Sequence, residues 1–221
     1  MLYSPRTVGV TTMLDKLPIL EWSSEQVLEE ARALRVAYQL KRTLRYNTSR
    51  DLTVHNESVA EHKFALFFLS EYFLPIEDPV SNLDYQTVHR VILYHDFPEI
   101  THGDVPYLLK TAAHEERERA AAAGVFASLP PSMRRIAQES WEAYERRESP
   151  ESLFVYALDK IEPVFELFDP INEQTPIRLR QTYESHMGKK LAATKNYPYM
   201  RKFVEVMSED MLRREVFWKE N

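Results

Sequence analysis

Four residues that are costly to bury sit in apolar, helix-forming stretches of this chain, and they limit how its helices can be arranged. His62 follows Glu57-Ser58-Val59-Ala60-Glu61, His95-Asp96 ends an apolar run at Tyr94, and Asp159 lies within Ala157-Leu158-Asp159-Lys160. An unpaired buried carboxylate is expensive, so a carboxylate on an apolar helix usually has a cation beside it. Two imidazoles and two carboxylates make a mixed nitrogen and oxygen shell, which suits a divalent ion such as Zn, Mn, Co, Ni or Fe. The helices that carry them are therefore expected to converge.

Those helices should build an all-α protein. Only four glycines occur in 221 residues, and long stretches are written in Leu, Ala, Glu, Arg and Lys, which are strong helix formers. The length is enough for a full hydrophobic core. Expected is one domain over 1–221, with an N-terminal arm at 1–20, a core at 24–170 and C-terminal helices at 171–221. Net charge is −6, with no basic tail or cluster, which disfavours a nucleic-acid polymer as partner. A small anion remains compatible, because the charge in a pocket can oppose the net charge. No cysteine is present, so disulfides, Cys-zinc sites and thiol nucleophiles are excluded. No apolar run approaches the ~20 residues needed to span a bilayer, and Met1 to Leu20 lacks the pattern of a signal peptide, so a cytoplasmic protein is expected.

In chain order, Ser23 or Ser24 should cap a helix running to about Tyr46, with Val27, Ala31, Leu34, Tyr38 and Leu44 inward. Asn47 to Asn56 reads as a loop. Ser58 and Glu61 form a capping box for a helix from Val59 to Leu74, which is apolar almost all round and so reads as the buried central element. Its run of Phe64, Phe67, Phe68, Tyr72 and Phe73 reads as core, and His62 shares a face with Leu66, Leu69 and Phe73. Tyr85 to Phe97 should be helical and be stopped by Pro98, which places His95 and Asp96 at its last turn. Further helices are expected at 115–128, 132–147, 151–168, 176–195 and 198–218, with a kink near Asp159 caused by Pro163. His102 and His114 read as surface residues.

Taken together, Glu57-Ser-Val-Ala-Glu-His62, Leu93-Tyr-His-Asp-Phe-Pro-Glu99, Gly103-Asp-Val-Pro106 and Leu158-Asp-Lys160 resemble the HD-domain metal-dependent phosphohydrolases. The match is closer to the YfbR-like branch, the 5′-deoxynucleotidases and their relatives. It covers about Arg45 to Asp159. The resemblance implies an all-helical fold, commonly a homodimer, and one divalent metal (Mn, Co, Ni, Zn, Fe or Mg) used to hydrolyse phosphate esters of small deoxynucleotides. By position it implies His62, His95, Asp96 and Asp159 as metal ligands, with Glu99 orienting the attacking water or moving its proton. It implies Asp104 near the sugar hydroxyls, and Arg45-Tyr46 as the counterpart of an Arg-Trp pair that grips phosphate and packs on the sugar. Here Tyr stands where the family has Trp, and about two extra residues separate the pair from His62. Arg50 and His55 are nearest to an arginine that the family often has before the histidine.

The residue chemistry agrees with that implication. A divalent ion lowers the pKa of bound water towards ~7 and neutralises a phosphoryl oxygen. Glu99 could position that water, while Arg45, Lys110 or Lys160 could offset charge on the phosphoryl group. The leading expectation is hydrolysis of a 5′-(deoxy)nucleoside monophosphate. Three alternatives stay open: triphosphohydrolase action on a dNTP, a di-iron oxygenase drawing on His102 and His114, and a non-catalytic nucleotide-binding protein.

Overall fold

The computed structural model describes residues 22–45, 56–106 and 108–219, and these are helical apart from short connections. The N-terminal arm, Tyr46, Arg50 and His55 lie outside the described residues. Helix α1 spans Ser24–Leu34 and runs into a 3₁₀ segment, Arg35–Arg42. Then follow α2 (Val59–Glu77), α3 (Tyr85–Tyr94), the short α4 (Glu99–His102), α5 (Ala112–Ala127) and α6 (Pro131–Arg146). After these come α7 (Pro150–Phe168), α8 (Gln174–Arg178), α9 (Tyr183–Ala193) and α10 (Pro198–Arg213). Among the described residues the β-type pairing is a single antiparallel bridge, Leu44 with Ser58. No helix among the described residues is long and apolar enough to cross a membrane.

The centre of the bundle is α7, not α2 as the apolar pattern implied. Helix α7 packs against α2, α3, α6, α9 and α10. Its Phe154, Val155, Leu158, Ile161 and Val164 are wholly buried, each such side chain contributing about 1.5–3 kcal/mol. On α2, Leu66 and Phe73 are buried, but Phe64 is 73% exposed and Phe68 68% exposed, and Tyr72 is also exposed. Composition names what a helix could bury, whereas the number of neighbours decides what it does bury. Among the described residues, Phe64, Phe68 and Tyr72, spaced four apart, form an outward stripe on α2.

Two clusters share the interior. The larger joins α2, α3, α7, α9 and α10 and includes Met200, Met211 and Phe217, so the C-terminal helices complete the same core as α7. The smaller lies between the 3₁₀ segment, α3, α5 and α6, around Tyr94, Phe97, Phe126 and Trp141.

Local signals mostly act where the sequence places them. Ser23 caps α1 and Ser58 caps α2, the latter with a full capping box to Glu61, a device worth about 1 kcal/mol. The first helix departs from expectation. It ends at Leu34, buries none of its residues, and leaves Val27, Leu34 and Tyr38 exposed. The chain then tightens to 3₁₀ geometry over Arg35–Arg42, where Leu40 reaches the core. Helix α3 stops at Tyr94, with His95 as its C-cap, and Pro98 serves as N-cap of α4 instead of a bare stop. The helix expected at 176–195 is divided at Arg180, whose φ is 51°.

Candidate metal centre

Three helix segments bring the four expected residues to one place. His62 points inward from the first turns of α2, since Val59, Leu66 and Phe73 take the same face into the core. His95 and Asp96 project from the end of α3, and Asp159 from the middle of α7. His62 Nε2 lies 3.1 Å from Asp159 Oδ1 and 3.9 Å from Asp96 Oδ2. His95 Nε2 lies 3.0 Å from Asp96 Oδ2. One donor atom from each of His62, His95 and Asp96 falls within 4.8 Å of the others.

His95 makes the strongest case that this cluster suits a cation. Its Nδ1 sits 2.9 Å from the carbonyl of Ile92, an acceptor, so Nδ1 carries the hydrogen. Nε2 then presents a lone pair, and this buried atom has no hydrogen-bond partner. It faces a carboxylate oxygen across 3.0 Å, an unfavourable meeting of two electron-rich atoms unless a positive centre joins them. The donor set and its burial fit a divalent ion.

The electrostatics point the same way. Burial raises the Asp96 carboxyl, but neighbouring positive charge, that of Lys63 included, holds the group well below the usual carboxylate range. Asp159 is likewise held well down, Lys160 and His62 outweighing its burial. His95 is lowered, chiefly by burial. His62 is lowered by burial and by Arg45 but raised more strongly by Glu162 and Asp159, and it rises to about 9. A metal ion at Nε2 would take the place of that extra proton.

Behind His62 lies a second polar layer. Glu162, one turn beyond Asp159 on α7, accepts from Arg45 Nη1 at 2.8 Å and lies 2.9 Å from His62 Nδ1. Arg45 Nη1 also meets Glu57 at 2.8 Å. Glu57, His62 and Glu162 could be mistaken for another metal cluster, but the Arg45 guanidinium is the cation at their centre. Burial pushes Glu57 up to about 8, against the pull of Arg45. Glu162 drops to about 2 because His62 and Arg45 outweigh its burial, so Glu162 is the carboxylate that carries the charge.

The cluster opens into a cleft lined also by Arg45, Glu99, Asp104, Lys110 and Lys160. Burial, with Asp96, Asp104 and Glu118 nearby, raises the Glu99 carboxyl well above its ordinary value. Lys110 is paired with Glu118 at 2.5 Å. Asp104 follows Gly103, whose φ of 79° makes the turn out of α4. Arg45 reaches the cleft with its Nη1 already engaged by two carboxylates. His102 and His114 are partly buried instead of fully exposed, and His114 closes a capping box with Thr111 at the start of α5.

Several residues in or beside the site went unread in the sequence. Lys63 is buried beside the site, 3.3 Å from Asp96 Oδ2, and its position directly after His62 was the available signal. Glu162 could have been found as a carboxylate three residues from Asp159 on an apolar helix. Tyr144, whose hydroxyl donates to Asp159 Oδ2 at 2.6 Å, and the Lys189-Lys190 pair gave no local signal.

A helical bundle with two histidines and two aspartates converging at the base of a cleft defines a protein suited to hold a divalent cation. Residues 37–196 match the HD domain model, and the chain belongs to the HD domain family. The 5′-deoxynucleotidase HDDC2 of Homo sapiens is 31% identical over 159 residues, covering 71% of this chain and 76% of that protein. The Mus musculus 5′-deoxynucleotidase HDDC2 is 30% identical over 161 residues, 72% of this chain and 78% of that one. The crystal structure of a "predicted metal-dependent phosphohydrolase" from Magnetospirillum magnetotacticum MS-1 superposes with a TM-score of 0.69 at 26% identity, over 87% of this chain and 98% of the other.

Proposed function

We propose that this protein is a metal-dependent phosphohydrolase that removes the phosphate of a small 5′-deoxynucleoside monophosphate. The observation that carries the reading is the inward lone pair of His95 Nε2 against Asp96, beside His62 and Asp159, in a cleft that also holds Glu99. The relatives described as 5′-deoxynucleotidases support the substrate class.

In this reading His62, His95, Asp96 and Asp159 hold one divalent ion. When bound, that ion supplies a water of lowered pKa and neutralises charge on a phosphoryl oxygen. Glu99, whose burial and acidic neighbours favour the protonated form, orients the attacking water and exchanges a proton with it. Asp104 receives a sugar hydroxyl. Lys110, kept charged by Glu118 despite its burial, faces developing negative charge. Arg45 acts through His62: with Glu162 it fixes the ring, so that Nε2 faces the cluster. The exposed stripe of Phe64, Phe68 and Tyr72 supports a homodimer, which light scattering would test.

The test is phosphate release from a panel of NMPs, dNMPs and dNTPs with added Mn, Co, Ni, Zn or Mg, run beside Asp96→Asn. Turnover of dNMPs that vanishes in the variant is the expected outcome. Tripolyphosphate from dNTPs would move the assignment to a triphosphohydrolase. Two irons per chain with oxygen uptake would move it to an oxygenase. Silence from metal-loaded protein would leave only nucleotide binding.

A further inference from the structure

The two aspartates of the candidate centre each meet a lysine, but in different ways. Asp159 turns Oδ1 toward His62 Nε2 at 3.1 Å, while its Oδ2 takes the Lys160 ammonium at 2.5 Å and the Tyr144 hydroxyl at 2.6 Å. One oxygen faces the cluster and the other is braced by protein donors, as suits a carboxylate that ligates through a single atom. Asp96 is not divided in that way. Its Oδ2 lies 3.0 Å from His95 Nε2 and 3.9 Å from His62 Nε2, and Lys63 Nζ donates to that same atom at 3.3 Å.

Lys63 is 4% exposed and is not among the residues that line the cleft. Its ammonium reaches from α2 to the end of α3, where it donates to the Ile92 carbonyl at 3.3 Å. That carbonyl also accepts from His95 Nδ1 at 2.9 Å, and carbonyls in the last turn of a helix have no helical partner of their own. A lysine is almost never fully buried unless it is paired, and the carboxylate that Lys63 pairs with is Asp96. A divalent ion held by His62, His95 and Asp96 needs the Asp96 oxygen that Lys63 already holds. Two cations on one oxygen repel each other.

We infer that Lys63 is a positioning residue that acts through Asp96 as a rival to the metal, bracing the end of α3 while loosening the hold on the ion. This rests on the metal-centre part of the reading above and not on the substrate. The sign of the effect is what separates it from a merely structural role. Loss of a brace weakens metal binding, whereas loss of a rival strengthens it.

The test is a titration of the full chain with Zn or Co alone, in competition with a chromophoric chelator, for wild type, Lys63→Met and Lys63→Arg. Lys63→Met keeps the apolar stem and removes the ammonium, and it should bind metal at least about tenfold tighter. Lys63→Arg keeps the charge and should stay within about threefold of wild type. In excess chelator Lys63→Met should melt below wild type, because Asp96 has lost its counter-charge. Saturating metal should narrow that gap, since tighter binding adds stability by mass action. Where Lys63→Met does not fold in chelator, Lys63→Gln, which still offers a donor to the Ile92 carbonyl, supplies the affinity comparison. Metal binding equal to or weaker than wild type in the folded neutral variant would overturn the inference, since Lys63 would then only brace Asp96. So would a Lys63→Arg variant that tightens as much as Lys63→Met, because the effect would then not follow charge.

Failure of the readings above gives different patterns. Wild-type protein that binds metal and releases no phosphate refutes the proposed function, while the affinities decide this inference by themselves. Wild-type protein that takes up no metal refutes the metal-centre reading. In that case uptake by Lys63→Met would support the rivalry, and no uptake by either would overturn it.

Discussion

Arg45→Met should cost this protein mainly in stability, and the structure sets the size of the loss. The guanidinium lies behind the candidate metal centre, its Nη1 2.8 Å from both Glu57 and Glu162, with side-chain exposures of 11%, 4% and 2% for Arg45, Glu57 and Glu162. Removing one partner of a buried ion pair typically costs about 3–5 kcal/mol, because a buried charge is left uncompensated. Glu162 keeps His62 as a partner at 2.9 Å, so the loss falls chiefly on Glu57, which can respond by taking up a proton. That argues for the lower end, about 3 kcal/mol, or roughly 6–12 °C in thermal midpoint for a chain of this size. Adding Glu57→Gln removes the stranded carboxylate, so the double variant should recover more than half of the loss. The assay is urea denaturation at pH 9, above the value of about 8 to which burial pushes Glu57, so that this carboxylate is ionised beside Arg45, and in chelator, which keeps metal linkage out of the comparison. If Arg45 were instead a phosphate ligand, Arg45→Met would raise KM and stay within about 1 kcal/mol of wild type. That result, or a double variant no more stable than the single one, would refute the reasoning.

Asp96→Asn should lower metal content below half of wild type by elemental analysis while the helical circular dichroism is kept, since it removes an anionic donor beside the His95 Nε2 lone pair. Tyr144→Phe deletes the 2.6 Å bond to Asp159 Oδ2 and should weaken metal affinity or turnover about tenfold to a hundredfold, read from a metal titration of the folded variant. Burial and the adjacent Lys190 hold His186 down at about 2, far below its ordinary 6.5, so between those values only the unfolded chain binds the proton. Stability from this residue is therefore complete above about pH 6.5 and falls as the pH drops. The gap between wild type and His186→Gln in urea denaturation should narrow by about 2 kcal/mol from pH 8 to pH 5. A gap independent of pH would show that His186 takes up its proton in the folded state.

How much of this was legible in the sequence depends on the range over which each signal acts. Scarce glycine and abundant helix formers determined the all-helical class, and Ser58 with Glu61 determined where α2 begins, because capping is settled within four residues. The grouping of His62, His95, Asp96 and Asp159 was legible too, since each stood as an expensive group on an apolar stretch. Which helix is central was not legible. Helix α2 looked the more buried by composition, yet α7 has neighbours on more sides, and the number of neighbours is a property of the assembled bundle. The partners of Arg45 were decided in the same way, since Glu162 lies 117 positions away in sequence and 2.8 Å away in space. Lys189 and Lys190 look like ordinary helix-surface residues until α9 packs on α7 and turns them to the cleft. Helix class and capping follow from bonds between near neighbours, whereas burial, charge pairing and the lining of the cleft arise only when distant segments share a space that excludes water.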